Sequence, residues 1–324
     1  MIISAGELGS FLQFPLFCGI ITPSFLSTKM REREKGMCPQ NIALLTDSCA
    51  DLTPALIQQN HIHVVPLRIL CTDGEYRDGV DIDGEGIYRR LRAGELPQTS
   101  LPAAEDFGQA LRQIVAEGYD GVIAVMLSSG LSGTYNLARV IAEECRDRIP
   151  VRVFDSLSGS LGQGLTVLQL AEDIRSGMGW EELTERRAPQ LITATTPFFS
   201  VDTLEYLQKG GRIGKVTATA GALLHIKPLL TFAPDGQLTS VAKVRGRPQV
   251  MDKLVELTVK ACGPHRRYNL AIAHGGAPEY LDTLRQKLTA ALPAYDHIWE
   301  GQIDGTLSVY IGDGILGAAV QVLD

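Results

Sequence analysis

Between Asn41 and about Ala194, short apolar runs alternate with stretches whose apolar residues recur every three to four positions. That is the signature of βαβ units and a mainly parallel sheet. "NIALLTDS" reads as a strand, and "DLTPALIQQN" as a helix with Thr53 at its N-cap and Pro54 in the first helical position. "IHVVPLRIL" supplies more strand, and "DGEYRDGVDIDGEGIYRRLRAG" turns and then forms a helix. "TSLPAAEDFGQALRQIVAEG" predicts a helix capped by Thr99 or Ser100, with Pro102 in its first turn and Gly118 at its close. Strand "YDGVIAVML", helix "GTYNLARVIAEECRDR", strand "VRVFDS" and helix "LGQGLTVLQLAEDIRSG" follow.

After about Thr195 the texture changes. "TPFFSVDTLEYLQKGGRIG" and "TATAGALLHIKPLL" read as helical with apolar faces, "LLTFAPDGQLTSVAKV" as a β-hairpin around "PDG", and "RPQVMDKLVELTVKACG" as an amphipathic helix. "NLAIAHGG", "DHIWEGQI" and "LSVYIG" read as further strands. At 324 residues the chain exceeds the size at which one core usually keeps growing. The expected fold class is therefore α/β: an N-terminal domain over residues 41–194, with a mainly parallel sheet and helices on both faces, then a second, α+β domain over 195–324. A ligand is expected between the two. Residues 1–40 read differently: "FLQFPLFCGII" is too short to span a bilayer, Glu7 precedes it without any lysine or arginine, and "KMREREKG" leads to Met37. These residues are expected to be a poorly ordered extension or an upstream start.

Composition narrows the function. Apolar residues make up 45% and charged residues 21%, an ordinary globular balance. A net charge of −7 argues against nucleic acid or an anionic membrane surface as the main partner. The six cysteines include no CxxC pair and no His/Cys cluster at metal-ligand spacing, so neither a metal nor another cofactor is expected. Scattered thiols fit a reducing, cytoplasmic compartment.

Four loops, "TDS" at 46–48, "TS" at 99–100, "SSGLSGT" at 128–134 and "DSLSGS" at 155–160, stand just before expected helices. In an open α/β sheet such loops collect at the carboxyl edge, where ligands bind. Hydroxyls and glycines at a helix start leave backbone N–H groups that favour an anion, and Ser129, Ser132 and Thr134 can add donors of their own. Each loop taken alone is most often a simple N-cap; several at one sheet edge weaken that explanation without removing it. A serine nucleophile is the enzymatic alternative, but no G-x-S-x-G is present, and among the histidines only His274 in "AIAHGG" stands where a base is wanted. A phosphate-binding loop of the G-x-x-x-x-G-K-[ST] type is absent.

Taken in order, "TDSCADL", "TSLP", "SSGLSGTY", "VFDS", "YLQKGGRIG" and "HIKPLL" resemble the DegV family, from about Asn41 to the C-terminus. The resemblance implies the EDD fold and a fatty-acid-binding protein, not an enzyme. It holds one long-chain fatty acid, of C16 to C18 type, between two domains. A separate dihydroxyacetone-kinase-like subunit phosphorylates the bound carboxylate, so no catalytic residue is expected in this chain. Carried over by motif, the carboxylate would meet Thr99 or Ser100 and Ser132, with Ser129 and Gly133 as neighbours. Arg212 in "KGGRIG" would serve the head group or kinase docking. Leu223, Leu224, Ile226 and Leu229 are candidates for the tail tunnel, although core packing explains them as well. Two departures stand out. Where relatives carry H-x-G-P-G, this chain reads "YIGDG", with Tyr310 for the histidine and Asp313, a negative charge, for the proline. Leu101 stands where glutamine is usual and should make the pocket mouth more apolar. The alternative from another class is a serine hydrolase or a phosphotransferase acting on a small anion.

Overall fold

The computed structural model describes residues 38–216 and 226–324. A strand covered on both faces needs an unbroken apolar run, and β1 (Ile42–Asp47) is buried at every position. It pairs in parallel with β2 (Ile62–Val65). Pro66 then intervenes and has no N–H to continue the ladder. The stretch expected as one strand thus splits, and β3 (Arg68–Cys71) joins another sheet, antiparallel between β4 (Gly74–Arg77) and β5 (Gln98–Ser100). The fully buried β6 (Gly121–Met126) and β7 (Val151–Asp155) complete the parallel sheet in the order β2-β1-β6-β7. Helices Ala104–Ala116 and Thr134–Cys145 cover one face through Phe107, Leu111, Ile114 and Ile141. Helices Leu161–Arg175 and Ala188–Ala194 cover the other. The expected α/β architecture is present.

The second sheet comprises β8 (Thr195–Ser200), β9 (Ile226–Phe232), β10 (Leu238–Arg245), β11 (Tyr268–Gly275), β12 (Ile298–Gln302) and β13 (Ile315–Val322). Its order is β10-β9-β8-β13-β11-β12, antiparallel except for the β11–β12 edge. Helices Arg247–Cys262 and Leu281–Ala291 pack on its outer face.

Four local expectations are corrected. Thr195–Ser200 is a strand rather than helix, and only Glu205–Lys209 of that stretch is helical. An apolar run without alternation does not distinguish a buried strand from a helix; here β-forming threonines and phenylalanines pair with β13 and β9 on either side. Ile226–Phe232 is likewise a strand. "LSVYIG" folds as the helix Gly305–Ile311, because Asp304 Oδ1 accepts the Leu307 N–H at 2.6 Å as an N-cap and Gly312, at φ 74°, ends it. Thr99 and Ser100 do not cap a helix. They lie in β5, and the helix starts at Ala104 with no side-chain cap. Pro102 disfavours helical geometry at Leu101, which keeps the preceding residues extended.

The helix Leu161–Arg175 runs between the two large sheets and is buried on almost every side. Several of its buried polar groups are met by partners, although Gln163 Oε1 is not: Gln163 Nε2 donates to Thr46 Oγ1 and Asp47 Oδ1, both at 3.0 Å, and Gln169 Oε1 accepts from Asn269 Nδ2 at 2.7 Å. A second tie joins the loop after β6 to the β9–β10 turn. Ser128 Oγ donates to the Gly236 carbonyl at 2.8 Å, and Gly236 has φ 75°. A Cβ on Gly130 would lie 2.5 Å from that same carbonyl group. Gly130→Ala is therefore expected to lower unfolding stability by about 1–3 kcal/mol, the usual cost of overpacking. A urea midpoint equal to wild type would contradict this close approach.

Candidate functional site

The loops after β1, β6 and β7 meet at the carboxyl edge of the parallel sheet, as that order requires. Against them the second sheet and the helix Gly305–Ile311 close a cavity with about 810 Å³ of empty space, its mouth included. Most of its wall is apolar, with Leu127, Leu131, Phe199, Leu207, Phe232 and Ile311 prominent. Its polar side chains include Thr99, Ser132, Arg212 and Tyr310. Thr99 Oγ1 and Tyr310 Oη share a hydrogen bond of 2.5 Å. The Arg212 guanidinium carbon lies 4.9 Å from the centroid of the Tyr310 ring, a cation–π contact. Arg212 Nε donates to the Leu131 carbonyl at 3.3 Å and Nη1 to the Gly210 carbonyl at 2.8 Å. Ser132 Oγ sits 2.9 Å from Thr134 Oγ1 and accepts the Thr134 N–H at 3.3 Å at the start of the helix Thr134–Cys145. Four residues spread over more than two hundred positions thus gather on one cavity.

Side-chain alternation in β5 separates Thr99 from Ser100. Thr99 lines the cavity; Ser100 is exposed, its Oγ 3.5 Å from the Leu101 carbonyl. Ser129 and Gly133 are exposed and do not line the cavity, and the Ser129 N–H donates to Asp155 Oδ1 at 3.1 Å. His274 is not a lining residue, although its neighbour Ala273 is; its Nδ1 is buried without a partner, and burial pushes its pKa down. Leu229 is fully buried in the core beneath the outer helices, and Ile226 does not line the cavity. Leu223 and Leu224 lie outside the described residues. The apolar walls from Phe199, Phe232 and Leu207 were missed by sequence reading, because "FFS" and "LLTF" carry no mark separating a wall from a core. The charge added by Asp313 is matched by Arg92, 2.7 Å away. Leu101 is 41% exposed and would be 3.4 Å from a Cβ on Gly133, so it does present apolar surface beside the Ser132 loop.

Beneath the cavity lies a group of buried carboxyls. Asp47 accepts N–H groups of Cys49 at 3.0 Å and Leu127 at 2.7 Å as well as Gln163, yet burial outweighs these bonds and pushes its pKa up to about 6. Burial likewise raises Asp51, Asp78 and Asp304. Asp51 Oδ1 accepts the Asp304 N–H at 2.9 Å, and Asp51 Oδ2 accepts from Ser160 Oγ. Asp304 Oδ2 is buried without a hydrogen-bond partner among the described residues, and burial first, then the nearby Asp78 and Asp51 carboxyls, push the Asp304 pKa well up. Ligand atoms of Cys49, Asp78 and Asp304 lie within 4.8 Å of one another. Asp78, however, already accepts from Ser48 Oγ at 2.8 Å and the Gly305 N–H at 3.0 Å, and burial drives the Cys49 thiol away from the thiolate a metal needs. The cluster is a hydrogen-bonded scaffold.

Fold and site together define a class: an α/β protein of two large sheets and a small third one, enclosing a largely apolar cavity with a hydroxyl-and-guanidinium cluster in its wall. The chain belongs to the DegV family, since residues 41–322 match the family model described as "Uncharacterised protein, DegV family". A DegV domain-containing protein of Clostridium acetobutylicum is 35% identical over 281 residues, covering 87% of this chain and 99% of that one. A solved structure described as fatty acid binding of a DegV family protein from Thermus thermophilus is 30% identical with a TM-score of 0.81, covering 87% of this chain and all of that one. A stearic acid-binding protein from Eubacterium ventriosum is 25% identical with a TM-score of 0.79, covering 87% and 98% of the respective chains. Among the described residues no helix is long and apolar enough to cross a membrane.

The raised acids set a pH signature. A carboxyl whose folded pKa is raised contributes stability that is complete below the ordinary value near 3.8 and lost as pH rises through the folded value, about 6 for Asp47. Unfolding free energy is expected to fall between pH 4 and 6.5, by on the order of 3 kcal/mol from Asp47 alone. Asp47→Asn should flatten that slope in urea titrations at several pH values; an unchanged slope would count against the assignment.

Proposed function

We propose that this protein binds one long-chain fatty acid, its carboxylate at the Thr99–Ser132–Arg212–Tyr310 cluster and its tail along the apolar cavity, and presents the head group to a separate kinase subunit for acyl-phosphate formation. The observation that carries the reading is the meeting of the Thr99–Tyr310 hydroxyl pair with Arg212 on the wall of an otherwise apolar cavity. The names of the solved relatives, which speak of fatty acid and stearic acid, support the same class of ligand. In this reading residues 41–194 supply Thr99 and Ser132, and residues 195–324 supply Arg212 and Tyr310.

Tail and head divide the work. Burying fourteen methylenes at about 0.8 kcal/mol each is worth about 11 kcal/mol before ordering costs, whereas a charge-assisted hydrogen bond nets about 1.5–3 kcal/mol. The tail sets retention and the cluster sets where the carboxylate points. With Nε and Nη1 of Arg212 given to carbonyls, Nη2 remains for an anion. Tyr310 serves as a donor here; a phenol brings a hydrogen bond where an imidazolium would bring charge as well.

A hydrolase reading lacks support from the site. Ser132 Oγ has Thr134 as its partner, and among the described lining residues there is no histidine.

Native mass spectrometry of the purified protein is expected to show one fatty acid per chain; a ligand-free protein that takes up none after delipidation would refute the reading. Ser132→Ala and Tyr310→Phe are each expected to keep the lipid, with affinity reduced about tenfold, and to lose a larger factor in kinase-dependent acyl-phosphate formation. A folded Ser132→Ala variant that has lost all lipid would overturn this division of labour. Turnover of an activated ester by the wild-type protein alone, abolished in the same variant, would favour the hydrolase.

A further inference from the structure

A second cavity, with about 280 Å³ of empty space including its mouth, lies beside the first. Its walls are largely apolar, with Leu52, Leu56, Leu165, Leu168 and Trp299 prominent, and Asp51 and Glu300 are the acidic residues in its lining. Among the described residues, Leu161 is the one common to the linings of both cavities. It opens the helix Leu161–Arg175 and is 9% exposed. Its Cδ1 would be 3.4 Å from a Cβ on Gly317, which itself lines the first cavity. The backbone before it is tightly set: Ser160 has φ 50° and its Oγ donates to Asp51 Oδ2, while its N–H donates to the Cys49 carbonyl at 2.7 Å. The helix start is therefore anchored, with Leu161 at the place where the two linings meet.

We propose that Leu161 is the partition that limits acyl-chain length, and that the second cavity is the space a longer tail enters once that side chain is cut back. This rests on reading the first cavity as the acyl site. An apolar side chain between two apolar spaces suits this role, because its truncation exposes no unsatisfied polar group and leaves a continuous greasy path. Leu161 is thus a specificity-determining residue for tail length, separate from the head-group cluster.

The test measures affinity for a series of saturated fatty acids from dodecanoate to tetracosanoate on delipidated protein. Wild type is expected to bind roughly fourfold tighter per added methylene until the tail meets Leu161, and then to stop gaining. Leu161→Ala should go on gaining through docosanoate and tetracosanoate, and Leu161→Val, a milder change, should shift the break by less. Adding Leu168→Phe to Leu161→Ala refills the second cavity from a position that lines only it, and should bring the break back. If folded Leu161→Ala and Leu161→Val bind hexadecanoate with the wild-type length profile, the partition is refuted while the acyl site stands. Should wild type bind no member of the series, the acyl site itself fails, and the partition with it.

Discussion

Buried carboxyls grip the N-terminus of the helix Gly305–Ile311, and the polar side of the cavity depends on that grip. Asp51 takes the Asp304 N–H, Asp78 takes the Gly305 N–H, and Asp304 caps Leu307. Unpaired N–H groups and the positive end of a short helix are what a carboxyl satisfies best. Asp51 belongs to the loop after β1 and Asp78 follows β4, so the grip reaches from the first half of the chain to the last twenty residues. The helix held in this way carries Thr306, Leu307, Tyr310 and Ile311 to the cavity wall.

Four buried acids gathered beside the cavity would repel one another if all were ionised. Burial raises the pKa of Asp47, Asp51, Asp78 and Asp304 alike. Backbone N–H groups bonded to each acid pull the other way, so every carboxyl stays paired while burial disfavours its charge. Arg212, pinned by two carbonyls and stacked on Tyr310, brings a cation to the cavity wall. The Tyr310 phenol supplies both the hydroxyl that meets Thr99 and the ring on which Arg212 stacks.

The parts of the site legible beforehand were those that local chemistry marks. Ser132 was visible because hydroxyls and glycines between a buried strand and a helix have few uses, and parallel strands send such loops to one edge. The choice between Thr99 and Ser100 was not visible: "TS" before a proline reads as a cap, and only its pairing with Arg68 and Ile69 of β3 makes it a strand with alternating faces. The helix at 305–311 was misread because "LSVYI" alternates like a strand, and the signal that decides it, Asp304, works through a cap. The apolar walls carried no signal, since a residue facing a cavity and one facing a core have the same composition.

By itself the sequence determined the parallel α/β sheet, the positions of its hydroxyl loops and the family, because strand burial, helix capping and loop chemistry are written within a few residues of one another. Only the tertiary structure decided which hydroxyl faces inward, which apolar residues form a wall, and that Arg212 and Tyr310 meet Thr99. Those outcomes depend on strand register and on carboxyls reaching across hundreds of residues, and neither is encoded in any local window.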